Sequence, residues 1–134
     1  MTVDSGMASV RGTPRMLLRL EGLLLAGLCI WLFARLDEPW WLFGVLLLAP
    51  DLSMLGYLGG AALGAASYNL FHTLSMPILA ILAALAGGSN LALAIGLIWC
   101  AHIGVDRALG YGLKYPSRFA DTHLGPIGRA RKAE

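Results

Sequence analysis

Four long apolar runs joined by short polar connections restrict this chain to a helical membrane bundle more strongly than any other feature. They cover about residues 16–36, 40–58, 61–86 and 91–110. Each run is close to the roughly 20 residues that an α-helix needs to cross a bilayer. Only 13% of the residues are charged, whereas soluble domains carry about 25%. We therefore predict an all-α fold, a small polytopic bundle of four transmembrane helices.

The segments outside the runs define the domains and the orientation. Residues 1–14 are predicted to form a disordered lead-in, 15–113 the transmembrane domain, and 114–134 an interfacial or cytoplasmic tail. The basic residues of the two ends are Arg11, Arg15, Arg19, Lys114, Arg118, Arg129, Arg131 and Lys132. The two connections assigned to the far side contain one, Arg35. The positive-inside rule therefore predicts that both termini are cytoplasmic.

Charge and cysteine content exclude other classes of protein. The formal net charge of +2 is small, and because no recognition motif accompanies it, we exclude nucleic acid as a partner. The partner that the composition predicts is the lipid bilayer. Cys29 and Cys100 each lie inside an apolar run, which predicts buried free thiols rather than a disulfide.

Five ionisable side chains interrupt the apolar runs. They are Glu21, Asp51, His72, His102 and Asp106. A helix rises about 1.5 Å per residue, and counting from the predicted helix ends places all five in the cytoplasmic half of the bilayer. Because a charge that faces lipid is costly, we predict that all five face the bundle interior and form one polar cluster.

Local spacing adds detail to the predicted cluster. His102 and Asp106 are four residues apart and therefore share one face of a helix. Pro50 removes a helical hydrogen bond and clashes one turn back, which predicts a kink and a freed carbonyl beside Asp51. In the alternative interpretation Asp51 caps a new helix. Pro77 is expected to kink the third helix in the same way.

The most conservative interpretation of the cluster is structural. Hydrogen bonds would fix helix packing, each contributing about 0.6 kcal/mol in a membrane. Further polar side chains would support the network from the interior: Tyr68, Asn69, Thr73, Arg107 and His123. Two histidines and three carboxylates at one depth are, however, more than packing usually requires.

Two alternatives assign the cluster a function, and all five side chains are then candidate catalytic residues. In the first, a divalent metal such as zinc, manganese or iron serves a membrane hydrolase that acts on a lipid or another amphiphile. The candidate metal ligands are Asp51, His72, His102 and Asp106, with Glu21 as candidate general base. In the second, the same groups relay protons or bind a small solute in a proton-coupled transporter. Four helices enclose only a narrow pathway, so that alternative implies a homo-oligomer.

Several longer motifs resemble a known family. They are residues 19–22 (RLEG), 49–57 (APDLSMLGY), 68–72 (YNLFH), 101–107 (AHIGVDR), 110–116 (GYGLKYP) and 121–125 (DTHLG). Together they resemble the bacterial domain-of-unknown-function 4260 membrane family over about residues 15–128. The resemblance implies four membrane helices, in a multi-pass protein of the bacterial cytoplasmic (inner) membrane, and it implies no mechanism.

The segment after the last run is predicted to lie at the membrane surface. Residues 110–116 combine a glycine pair, tyrosines, Lys114 and a proline, which is typical of an interfacial cap at headgroup level. We expect a solvated tail beyond it. In the alternative, the tail folds back over the inner mouth of the bundle and His123 completes the cluster.

Overall fold

The computed structural model describes residues 9–127. The helices in this part of the chain are α1 (Gly12–Ala34), α2 (Trp40–Leu46), a 3-10 helix (Ala49–Gly59), α3 (Ala61–His72), α4 (Ser75–Gly87) and α5 (Asn90–Leu109). They form four segments long and apolar enough to cross a membrane, because α2 continues into the 3-10 helix and α3 into α4. The predicted all-α bundle of four helices is confirmed, and the described residues contain no strand beyond one isolated bridge.

Helix boundaries follow local sequence signals. The first helix begins at Gly12, about one turn before the predicted start near residue 16. Pro14 is tolerated in this first turn because the N–H group that proline lacks would have no partner within the helix there. The last helix begins after Ser89, whose side chain accepts a hydrogen bond from the Ala92 amide at 3.2 Å. It ends at Gly110, where φ is +87°.

The last helix, α5, is the centre of the bundle. Half of its apolar span is buried, whereas the other three spans expose most of their leucines, as a lipid-facing surface should. Its main partner is α1, which crosses it at Gly22 and Gly104. A Cβ placed on Gly104 would lie 2.7 Å from the Gly22 carbonyl oxygen and 2.8 Å from the Ala26 amide nitrogen. Only glycine allows the two backbones to approach this closely.

The second span changes helix type next to Pro50, where the sequence predicts a kink and a freed carbonyl. The α-helix ends at Leu46 and the 3-10 helix begins at Ala49 with Pro50 in its first turn. In the tighter helix the Asp51 amide donates to the Leu48 carbonyl at 3.1 Å, three residues back. The Leu47 carbonyl, which an α-helix would have paired with that amide, is thereby left free.

The third span is also interrupted, one turn before Pro77. Thr73 adopts an extended conformation with ψ of 138° between α3 and α4. The break falls where a proline ring clashes with the carbonyl four residues earlier, which for Pro77 is that of Thr73. The His72 carbonyl is freed by this break and accepts a hydrogen bond from Arg107 Nη2 at 3.0 Å.

The segment after α5 folds back onto the bundle, so the predicted solvated tail is wrong for the residues up to 127. Leu124 and Thr122 are buried, and Lys114 forms an antiparallel bridge with Thr122. Arg15 Nε donates to the Leu124 carbonyl at 2.6 Å, which ties the segment to the start of α1. The basic residues Arg129, Arg131 and Lys132 and the lead-in before residue 9 lie outside the described residues.

A contact between the segments before α1 and after α5 supports the prediction that these two segments lie on the same side of the membrane. The Val10 amide donates to the His123 carbonyl at 2.7 Å, so the segments before α1 and after α5 lie on the same face of the bundle. Their cytoplasmic location stays a prediction from the basic residues. We expect C-terminal reporter fusions to be active only when the reporter functions in the cytoplasm. A fusion active only on the outer side would contradict this orientation.

Candidate functional site: a His/Asp cluster

Two histidines and two aspartates meet where the two interrupted spans pack against α5. Asp51 comes from the 3-10 helix, His72 from the end of α3, and His102 and Asp106 from α5. The two Nε2 atoms are 3.1 Å apart. Asp51 Oδ1 lies 3.2 Å from each of them, and Asp106 Oδ2 lies 3.5 Å from that of His72 and 3.3 Å from that of His102. The four ligand atoms all lie within 4.8 Å of one another.

The backbone fixes which nitrogen of each ring carries the proton. His72 Nδ1 lies 2.8 Å from the Tyr68 carbonyl oxygen, and His102 Nδ1 contacts the Leu47 carbonyl oxygen that the 3-10 helix leaves free. A carbonyl only accepts hydrogen bonds, so both Nδ1 atoms are donors. In the neutral rings both Nε2 atoms therefore carry a lone pair, and both lone pairs point into the cluster.

Packing holds the rings in this orientation. The ring of Tyr68 stacks on that of His72, with centroids 3.7 Å apart and planes 7° from parallel. Both histidines are almost fully buried, with side-chain exposures of 1% and 6%, while Asp106 is 15% and Asp51 36% exposed. The cluster is therefore closed on the histidine side and open on the aspartate side.

Five of the six separations among the four atoms fit a metal ion of zinc's size. The edge of a regular tetrahedron is about 1.6 times the distance from its centre to a corner, so zinc bond lengths of about 2.0–2.1 Å imply ligand separations of about 3.3–3.4 Å. The five separations given above run from 3.1 to 3.5 Å. An Nδ1–H donated to a backbone carbonyl is also the usual arrangement around a metal-ligating histidine.

A cavity of about 430 Å³ opens next to the aspartates. Its polar lining residues are Asp51, Asp106, Tyr68, Tyr111 and Lys114. Its apolar lining residues are Met54, Phe119, Ala120 and Ile127. A ligand in this space would reach the open side of the cluster, and the volume falls within the range of small-molecule sites.

Glu21 does not join the four other predicted site residues. It is exposed on α1 and lines a separate cavity of about 290 Å³, together with Arg107 and His123. His123 lies there as well rather than completing the cluster. Burial, with the nearby positive charge of Arg107, lowers the pKa of His123, and its Nδ1 accepts a hydrogen bond from the Leu113 amide at 2.8 Å.

The remaining support residues have specific partners in the backbone. Asn69 makes two hydrogen bonds with the main chain of Lys114, at 2.8 and 2.6 Å, and so anchors the folded-back segment to α3. Arg107 donates to the carbonyls of His72 and Tyr111 rather than to a carboxylate. Thr73 lies at the break between α3 and α4 and is the residue with the extended backbone.

The sequence predicts Lys114 at the level of the lipid headgroups, whereas in the structure its side chain is buried within the protein. Its residue is 4% exposed, and its ammonium donates to the Phe119 carbonyl at 2.9 Å. The signal that could have indicated this position is the glycine pair before it. A Cβ on Gly112 would lie 2.5 Å from His123 Nδ1, so the chain folds back closely here only with glycine.

Comparison with known proteins identifies the family and no activity. The model of a domain of unknown function (DUF4260) matches residues 15–127. No curated protein and no solved structure matches the chain. The matched range contains the last three spans, the first span except for its first three residues, the His/Asp cluster and the folded-back segment. The chain belongs to the DUF4260 family.

Proposed function

We propose that the His/Asp cluster binds one divalent metal ion, with zinc as the first candidate and manganese or iron as others. One observation carries this proposal. Both imidazoles donate from Nδ1 to a carbonyl, so their Nε2 lone pairs converge with two carboxylate oxygens. Four electron pairs with no proton between them repel one another, and a cation at their centre removes the repulsion.

The charge of the cluster supports the same conclusion. With both buried imidazoles neutral, the two carboxylates would leave two negative charges in an apolar bundle. Such charges are retained only when they are paired or coordinate a metal. Arg107 does not pair with them, because its guanidinium is used by backbone carbonyls. A divalent ion neutralises both carboxylates.

We further propose that the protein is a metal-dependent membrane hydrolase of the bacterial cytoplasmic membrane, acting on a lipid or another amphiphile. A bound divalent ion would polarise a carbonyl or phosphoryl oxygen and make a coordinated water more acidic. The chain supplies the access: Asp51 is the most exposed ligand, and it borders the 430 Å³ cavity together with Asp106. The cavity is lined by both apolar and charged side chains, which suits an amphiphile.

Metal analysis of the purified protein tests the metal centre. We expect about one divalent ion per chain after purification in detergent without added metal. Chelation should remove the ion and lower the melting temperature, because a ligand that binds only the folded state stabilises it. Readdition of zinc should restore both.

Two results would contradict the metal centre. If the protein is metal-free and zinc does not change its melting temperature, the structural interpretation would stand instead. In that interpretation protons, rather than a metal ion, join the side chains of the cluster. A metal-free protein that also carries protons across liposome membranes would favour the transporter, and its oligomeric state would then be the next measurement.

A further inference from the structure

A buried lysine faces the same cavity as the two aspartate ligands. Lys114 lines the cavity with its residue 4% exposed. Its ammonium lies 3.7 Å from the centroid of the Phe119 ring and 5.0 Å from that of Tyr68. The Asn69 side chain holds its backbone in place. The position of this charge is therefore fixed by the fold.

Among the described residues the ammonium has neutral hydrogen-bond and ring partners, and the carboxylate of Asp106 acts on it only from beyond 4 Å. Its hydrogen bond goes to the Phe119 carbonyl, and no carboxylate between residues 9 and 127 lies within 4 Å of it. Burial lowers the pKa of Lys114 to about 8, so the side chain still carries its charge at neutral pH. A buried charge of this kind favours an anion in the adjoining space.

The cavity favours an anion only when the metal centre is filled. Asp51, Asp106 and Lys114 together give the lining one net negative charge. A divalent ion at the cluster would reverse it to one net positive charge. An anion in the cavity would then have two cationic groups beside it, a common arrangement for phosphoryl groups.

We propose that this cavity binds the phosphate ester head group of an amphiphile, with Lys114 contacting one phosphate oxygen and the metal side of the cluster facing another. A phosphate ester has several free oxygens and can contact both cationic groups, and the apolar side chains of Met54 and Phe119 in the lining suit the adjoining chain. The proposal rests on the metal centre proposed above for one of its two contacts.

Native mass spectrometry tests this site, because it counts bound metal and bound lipid on the same particle. We expect the metal-loaded protein to retain phosphatidic acid and to bind diacylglycerol, which lacks the phosphate, far more weakly. Lys114→Gln should keep the metal but weaken phosphatidic acid binding by roughly 10- to 100-fold, the usual range for a lost charge-assisted hydrogen bond. Arg118→Gln is the matched control, since Arg118 is exposed and paired with Asp121 at 2.8 Å.

A second variant covers the case in which Lys114→Gln does not fold. Ala120→Asp places a negative charge on the cavity wall without changing Lys114, and it should also weaken phosphatidic acid binding. Wild-type affinity in a folded, metal-loaded Lys114→Gln or Ala120→Asp protein would overturn the proposal. If inorganic phosphate bound as tightly as phosphatidic acid, the assignment of an amphiphile as the ligand would be overturned. A wild type without metal would refute the metal centre separately, since the metal is read directly.

Discussion

The variants Asp106→Asn and His102→Ala are expected to insert and fold but to lose the bound metal. His102→Ala removes one of the four ligand atoms, and Asp106→Asn replaces a carboxylate oxygen by an amide oxygen, which is a far weaker ligand. Changes to groups that only orient a ligand already cost about 10- to 100-fold in metal affinity, so removal of a ligand should cost more. Metal content and zinc affinity of the purified variants measure the effect.

Glu21→Gln is the control for this experiment. Like Asp106→Asn it replaces a carboxylate within a membrane span by an amide, but Glu21 lies in a separate cavity. We expect its metal content to equal that of the wild type. If Asp106→Asn kept full zinc affinity, or if Glu21→Gln lost it as well, the four-residue centre would be wrong.

Replacement of Gly104 by leucine is expected to prevent folding, and replacement by alanine to lower the free energy of unfolding by about 1–3 kcal/mol. The nearest atoms to a new Cβ there are the Gly22 carbonyl oxygen and the Ala26 amide nitrogen, both in the backbone of α1. Because neither can rotate away, α1 and α5 must separate. Denaturant titration of the purified variants, and the yield of monodisperse protein, measure the change.

Gly27 provides the matched control on α1. A Cβ placed on it would meet no atom within 4 Å, and alanine is favoured over glycine in a helix by about 1 kcal/mol. We expect Gly27→Ala to be neutral or slightly stabilising. Equal destabilisation by Gly27→Ala and Gly104→Ala would show that loss of glycine itself, rather than the close helix contact, is responsible.

The number of spans and the four residues of the His/Asp cluster could be predicted from the sequence for simple reasons. Run length fixes the spans, and the cost of a charge in lipid directs ionisable side chains inward. Depth along a helix gives no information about rotation around it, and this is why Glu21 was placed wrongly in the cluster. Gly22 packs against α5, and a residue one position earlier points about 100° away from that contact.

The sequence favours a solvated tail over the folded-back segment because the contacts that hold the segment join residues far apart in the chain. Asn69 binds the backbone of Lys114, and Arg15 binds the carbonyl of Leu124. The periodicity of apolar residues does not reveal contacts between residues so far apart. The segment is also polar enough to suggest a solvated tail. The cation of the proposed phosphate site was missed for the same reason.

The carbonyls of Leu47 and Tyr68 that orient the two histidine rings have a consequence for mutagenesis. An alanine scan replaces side chains only, so it retains both of these acceptors at every position that it tests. Such a scan would detect the side chains of the His/Asp cluster but not the backbone carbonyls that orient the two rings. Exchange of an amide for an ester at the bond that follows Leu47 weakens its carbonyl as an acceptor while every side chain stays in place. Part of this site is therefore encoded in helix type rather than in residue identity, and chemical synthesis of the backbone is the tool that reaches it.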